Sequence, residues 1–66
     1  MNILLNGTPR DVSEGTTIAQ LLRELDMAAR HVAVEVNLEL VPRARHAEHQ
    51  LRPSDRLEVV TLVGGG

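Results

Sequence analysis

Apolar residues recur along this chain with two spacings, one strand-like and one helical. Ile3, Leu4 and Leu5 form a short apolar run closed by Asn6-Gly7, a pair that tolerates the positive φ angles of a type I′ turn. Thr8 to Val12 then return, which predicts a hairpin. Period two places Met1, Ile3 and Leu5 on one face and Leu4 on the other. Pro9 has no N–H to give to a ladder, so the returning strand is expected at a sheet edge.

Ser13-Glu14-Gly15 interrupts the extended pattern, and Thr17-Ile18-Ala19-Gln20 then matches a capping box, with the Thr17 hydroxyl and Gln20 amide satisfying exposed backbone N–H groups. Ile18, Leu21, Leu22 and Leu25 follow at i, i+3, i+4 and i+7. That stripe predicts a helix lying on one face of a sheet, with Gln20, Arg23, Glu24 and Asp26 around the rest of its circumference. From His31 to Val36, Val32, Val34 and Val36 alternate with Ala33 and Glu35 as in a half-buried strand. Asn37 turns the chain, and Leu38 to Val41 extend again before Pro42. The polar stretch Arg43 to His49 reads as a helical turn or loop. Arg52-Pro53-Ser54-Asp55 is a turn signal, after which Leu57, Val59 and Thr61 alternate with Glu58, Val60 and Leu62. A last strand apolar on both faces suits a central position.

Composition narrows what such a domain can do. Sixty-six residues, 42% apolar and 24% charged, make one small core and leave little material to wall a substrate cleft. The absence of cysteine removes disulfides, thiolate nucleophiles and Cys-type zinc sites. With no aromatic residue and a formal charge of −2 there is neither a stacking platform for bases nor a basic footprint for phosphates, which argues against nucleic acid as a partner. No segment approaches a membrane span and the first residues lack the features of a signal peptide, so a cytoplasmic location and no membrane association are expected.

Candidate chemistry within the body is sparse. His46 and His49, three residues apart, could share a helix face as two metal ligands, but no third ligand stands nearby, and both are expected in solvent with no metal bound. His31, at a strand start, is expected at the surface or rim. The hydroxyls Thr8, Ser13, Thr16, Thr17, Ser54 and Thr61 suit turn, cap or strand positions, and neither a triad nor a phosphate loop is present.

Gly64-Gly65-Gly66 resists a stability explanation, because glycine loses more backbone entropy on ordering than any other residue. Two readings stand: a frayed end, or a thread without Cβ atoms that enters a narrow tunnel in another protein and presents a carboxylate there. A carboxylate is ionised at neutral pH and is a poor electrophile. Adenylation by ATP would activate it as a mixed anhydride, and sulfur could then displace AMP to leave a thiocarboxylate. Such chemistry asks for no cysteine in the carrier.

On these residues the chain resembles the ubiquitin-like β-grasp proteins, and among them the ThiS family of sulfur carriers in thiazole formation for thiamine. The resemblance runs over essentially the whole chain: Ile3-Leu4-Leu5-Asn6-Gly7, Thr17-Ile18 with Leu21-Leu22, Val34-Glu35-Val36-Asn37 with Val41-Pro42-Arg43, the Asp55 turn, and Val63-Gly64-Gly65-Gly66. It implies an α+β fold, a mixed sheet with one main helix across it, with a body over residues 1–63 and a flexible tail over residues 64–66. It also implies that Gly66 carries the acyl-adenylate and then the thiocarboxylate, with Gly64 and Gly65 as the thread. The implied partners are an E1-like adenylating enzyme of the ThiF type that uses ATP and magnesium, a thiazole synthase of the ThiG type, and a sulfur donor protein; the chain itself would bind no cofactor and would not be an enzyme. The face away from the helix would carry Leu4, Val60 and Leu62 as a partner-binding patch. Two rivals share the tail chemistry or the fold: a sulfur carrier of the molybdopterin synthase small-subunit type, and a ubiquitin-like modifier conjugated through Gly66. All seven basic residues are arginine, so the chain has no lysine on which to build polymers of itself.

Overall fold

The computed structural model describes residues 1–62. Val63 and the Gly64-Gly65-Gly66 segment lie outside the described residues. Both hairpins form where the alternating pattern predicts them, β1 (Asn2–Leu5) with β2 (Thr8–Asp11), and β3 (Val32–Val36) with β4 (Glu39–Val41). The final strand β5 (Arg56–Thr61) inserts between the two hairpins, antiparallel to β3 and parallel to β1, giving a mixed sheet in the order β2-β1-β5-β3-β4. Pro9 accordingly sits on an edge strand and β5 is central, although on its open face Arg56 and Glu58 accompany Val60.

Leu38 departs from expectation. It belongs to a two-residue turn with Asn37, and β4 begins only at Glu39. Asn37 and Leu38 both have positive φ, 53° and 71°, the geometry of a type I′ turn, which closes the hairpin in two residues where the sequence pattern suggested one.

The helix α1 (Ile18–Glu24) is bracketed as its sequence demands. Thr17 Oγ1 accepts from the Gln20 N–H at 3.2 Å, and Gln20 Oε1 accepts from the Thr17 N–H at 2.8 Å. At the other end Asp26 takes a left-handed φ of 59°, the Met27 N–H donates to the Leu22 carbonyl and the Asp26 N–H to that of Arg23. That is a Schellman ending with aspartate where glycine is commoner. Ile18, Leu21 and Leu22 are buried against Ile3, Val34, Val36, Val41, Leu57, Val59 and Leu51, with Leu25 packed at the margin.

His46 is a correction. It is 5% exposed, not in solvent, and its Nε2–H donates to the Val41 carbonyl at 2.9 Å. The segment it anchors, a 3-10 turn at Arg43–Arg45 and the residues after it, runs beneath the start of α1, where the His46 and His49 carbonyls accept from the Ala19 and Ile18 N–H groups at 3.0 and 3.1 Å. These are donors that the capping box leaves free. Burial of the ring follows from this tertiary demand, which local polarity does not reveal. His49 is half-buried and His31 is exposed.

Candidate functional site

The candidate site is the end of β5 nearest in sequence to Gly64, Gly65 and Gly66. Beside β1 its ladder is short, Leu4 opposite Arg56 and Leu5 opposite Leu57, because β1 turns away at Asn6. The Asn6 side chain continues the pairing that the backbone abandons. Its Oδ1 accepts from the Val59 N–H at 2.8 Å, and its Nδ2 donates to the Val59 carbonyl at 3.2 Å. On the other side β3 follows β5 to the Val32–Thr61 pair, and the Leu62 N–H donates to the His31 carbonyl at 2.8 Å. Thr61 and Leu62 therefore run beyond the tip of the first hairpin, held from one side by the start of β3.

Asn37 does the corresponding work at the opposite end of β5. Its N–H donates to the Arg56 carbonyl at 2.8 Å, its Oδ1 accepts from the Arg56 N–H at 3.0 Å, and its Nδ2 donates to Asp55 Oδ1 at 3.0 Å. Asp55 is buried, and its Oδ2 accepts from the Arg52 N–H at 2.8 Å, closing the turn that precedes β5. Sequence reasoning reads both asparagines as turn formers only. Their second role depends on β5 arriving between the hairpins.

The open face of the sheet does not form one patch of Leu4, Val60 and Leu62. Val60 and Leu62 are 55% and 57% exposed and share the exit end of β5 with Ala33, which faces Val60 across the ladder. Leu4 is half-buried and lies between Pro9 and Arg56, four residues back along β5 from Val60, about 13 Å at strand rise. Between the two stand Glu58 and Glu35, directly opposite each other, with Leu40 next on β4. Neither glutamate forms an ion pair among the described residues, and like charges across a ladder repel. The parallel β1–β5 register separates the apolar residues, because it sets Leu4 against Arg56. Val60 and Leu62 are the exposed apolar residues of the described chain nearest in sequence to Gly64, Gly65 and Gly66.

Other groups offer less chemistry. His46 Nε2 is committed to Val41, and among the described residues no cluster of three or more His, Cys, Asp or Glu side chains has the arrangement of a metal site. Thr16 is buried, with its hydroxyl donating to the Ser13 carbonyl at 2.7 Å. A groove of about 690 Å³ runs along β4 beside Pro42, Arg45, Leu51 and Arg52. It reaches that volume, unexpected for so short a chain, by lying open to solvent between β4 and residues 48–52. No helix of the described residues is long and apolar enough to cross a membrane.

A mixed five-stranded sheet in this order, with one helix across a single face and the central strand running out as the exit, defines a ubiquitin-like β-grasp protein. The model of the ThiS family matches residues 3–66, and the chain belongs to that family. The solved structure of the thiamine biosynthesis protein ThiS from Geobacter metallireducens superposes with a TM-score of 0.85 at 33% identity, covering all of both chains. The sulfur carrier protein ThiS of Escherichia coli K12 is 30% identical over the full length of both. A thiazole synthase from Paramagnetospirillum magneticum is 42% identical over all 66 residues, and there this chain spans 20% of the relative's length. The same share holds for a thiazole synthase of Magnetococcus marinus, also 42% identical.

Proposed function

We propose that this chain is a sulfur carrier for thiazole formation in thiamine biosynthesis, with the Gly66 carboxylate as its working group. The observation that carries the reading is end-to-end similarity to a protein named as a sulfur carrier, over the Gly-Gly-Gly segment as well as the fold. An E1-like adenylating enzyme binds the Val60–Leu62 rim and draws residues 64–66 into its ATP site. There a carboxylate oxygen of Gly66 attacks the α-phosphorus of ATP, pyrophosphate leaves, and the acyl-adenylate forms. Magnesium and ATP belong to that enzyme. A sulfide equivalent from a donor protein then attacks the acyl carbon, the C–O bond to AMP breaks, and a thiocarboxylate remains. Thiazole synthase is the acceptor, a reading supported by two thiazole synthases that contain a stretch similar to this whole chain.

The chain contributes position. Asn6 on one side and β3 on the other hold β5 up to Val59 and Leu62, so the reach of Gly66 is measured from a rigid strand. Deleting Gly66 leaves a carboxylate on Gly65 but withdraws it by about 3.3–3.6 Å, whereas a misplacement of about 1 Å at a reacting centre already costs about a hundredfold. ATP–pyrophosphate exchange with the cognate adenylating enzyme should fall by at least about that factor, with unfolding unchanged. Equal exchange by both chains would refute the role of Gly66. The mass of the protein purified from its host separates the rival: an oxygen-to-sulfur replacement marks a carrier, and isopeptide-linked adducts mark a modifier.

A further inference from the structure

The parallel ladder between β1 and β5 advances by alternate residues. The Leu4 N–H donates to the Asp55 carbonyl at 2.9 Å and the Asn6 N–H to that of Leu57 at 2.8 Å, so the next acceptor along β5 is the Val59 carbonyl and the next donor due is the Thr8 N–H. Thr8 does not reach it, because the chain turns at Asn6 and Gly7, with φ of 51° and 82°, and Thr8 pairs back on Leu5. The Asn6 carboxamide carries the same N–H and C=O groups as a peptide unit, and it fills the gap with its bonds to both the N–H and the carbonyl of Val59. The turn itself does not require this. Glycine satisfies the first central position of a type I′ turn equally well, so the Asn6 amide is in excess of what the hairpin needs.

What the bonds to Val59 add is support farther along β5. On the other side β3 takes up the backbone at even-numbered positions: the Asn37 N–H donates to the Arg56 carbonyl and the Leu62 N–H to that of His31. Val59 and Thr61 therefore turn their N–H and C=O toward the side of β1. With the Asn6 side chain in place, the stretch from Val59 to Thr61, about 7 Å, is held among the described residues from β3 alone; without it the ladder beside β1 would stop at Leu57 and that stretch would be about 13 Å. Asn37 makes the same kind of bonds to Arg56 and Asp55, at the opposite end of the strand from Thr61.

We infer that Asn6 is a positioning residue for the chemistry at Gly66, and that Asn37, its counterpart in the second hairpin, is not. The inference rests on the sulfur-carrier reading. Residues 63–66 continue from Leu62, and the adenylating enzyme must receive the Gly66 carboxylate at the α-phosphorus of ATP. A strand end held from one side over a longer stretch samples more orientations relative to the rest of the sheet, so fewer bound complexes reach the reacting geometry. A shift of about 1 Å is enough to cost about a hundredfold. The loss falls on the rate of the bound complex, whereas binding uses side chains of a sheet that stays folded and changes little. Both asparagines stabilise the fold, but only Asn6 lies beside the end of β5 nearest in sequence to Gly66.

Asn6→Gly and Asn37→Gly separate the two roles, since both positions have positive φ, where glycine is unstrained, and each variant loses only the side-chain bonds. Urea denaturation identifies a temperature at which all three full-length chains are folded. There the Val59 N–H should exchange with solvent at least about tenfold faster in Asn6→Gly than in wild type, and stay protected in Asn37→Gly. In ATP–pyrophosphate exchange with the cognate adenylating enzyme, kcat should fall at least about tenfold for Asn6→Gly, with KM for the carrier within about threefold, while Asn37→Gly keeps the wild-type kcat. If Asn6→Gly does not fold, Asn6→Asp decides: it suits the same turn but has no N–H for the Val59 carbonyl, and its kcat should fall in the same sense. Unchanged kcat in the folded Asn6 variant, an equal fall in Asn37→Gly, or a Val59 amide no less protected in the Asn6 variant overturns the inference and leaves the carrier reading standing. A wild-type chain that supports no exchange refutes the carrier reading itself, and the positioning role falls with it.

Discussion

On the helix side of the sheet Ile3, Val34, Val41, Leu57 and Val59 are buried under Ile18, Leu21, Leu22 and Leu51, whereas on the other side Leu4 is half-buried and Val60, Leu62 and Leu40 stand largely in water. Both sets come from the same strands, and along β5 they alternate residue by residue. Burying a side chain of this size gains about 1.5–3 kcal/mol, so the covered face supplies most of the stability of so small a domain. The open face gains little by folding, and it keeps a repelling Glu35–Glu58 pair at its centre. Stability is thus concentrated on one side, leaving the other to be shaped by what it meets. That division predicts which substitutions unfold the chain and which only change its contacts.

The sharpest test is Leu21→Ala, in the middle of the buried helix stripe. It should cost about 2–5 kcal/mol and lower the denaturation midpoint accordingly; an unmoved midpoint would mean that α1 does not seal this face. His46→Ala comes next, because it removes the ring's bond to the Val41 carbonyl, empties the buried space the ring fills and loosens the segment that caps α1. A loss of about 1–3 kcal/mol is expected by urea denaturation, where a solvated histidine would give none. On the open face Val60→Asp should cost no more than about 1 kcal/mol, the span of strand propensity. Its binding to the adenylating enzyme should nonetheless weaken measurably in a calorimetric titration, since a charge must be desolvated at the contact. Wild-type affinity in that folded variant would remove the Val60–Leu62 rim from the interface. The smallest effect is a gain: Glu58→Gln relieves the cross-strand repulsion and should stabilise the chain by about 0.2–1 kcal/mol at low salt, fading as salt is added. A loss there would show that the glutamates are held by an attraction instead.

Much of the architecture was legible because it is local. The Asn6-Gly7 turn, the Thr17–Gln20 box, the i, i+3, i+4 stripe of α1 and the period-two valines of β3 each involve residues within a few positions of one another. Backbone sterics and side-chain spacing decide such features before any distant segment arrives. The same alternation put Leu57 and Val59 on one face and Val60 and Leu62 on the other, and the structure buries the first pair and exposes the second. The Gly64-Gly65-Gly66 segment was likewise singled out from composition alone, as a stretch that stability cannot explain.

What only the tertiary structure decided involves partners far apart in sequence. His46 lies in a polar stretch yet is buried, because the first N–H groups of α1 need carbonyls that the local chain cannot supply. Leu4 and Val60 share a face but not a patch, because the parallel register of β1 on β5, fixed across about fifty residues by the Leu4–Arg56 and Leu5–Leu57 pairs, puts an arginine beside Leu4, while the antiparallel register of β3 on β5 puts Ala33 beside Val60. Asn6 and Asn37 become clamps on β5 only once that strand has inserted between the hairpins. Periodicity assigns each side chain to a face, but it carries no information about which strand will lie alongside; that choice is made where buried area and hydrogen bonds from the whole chain are satisfied together.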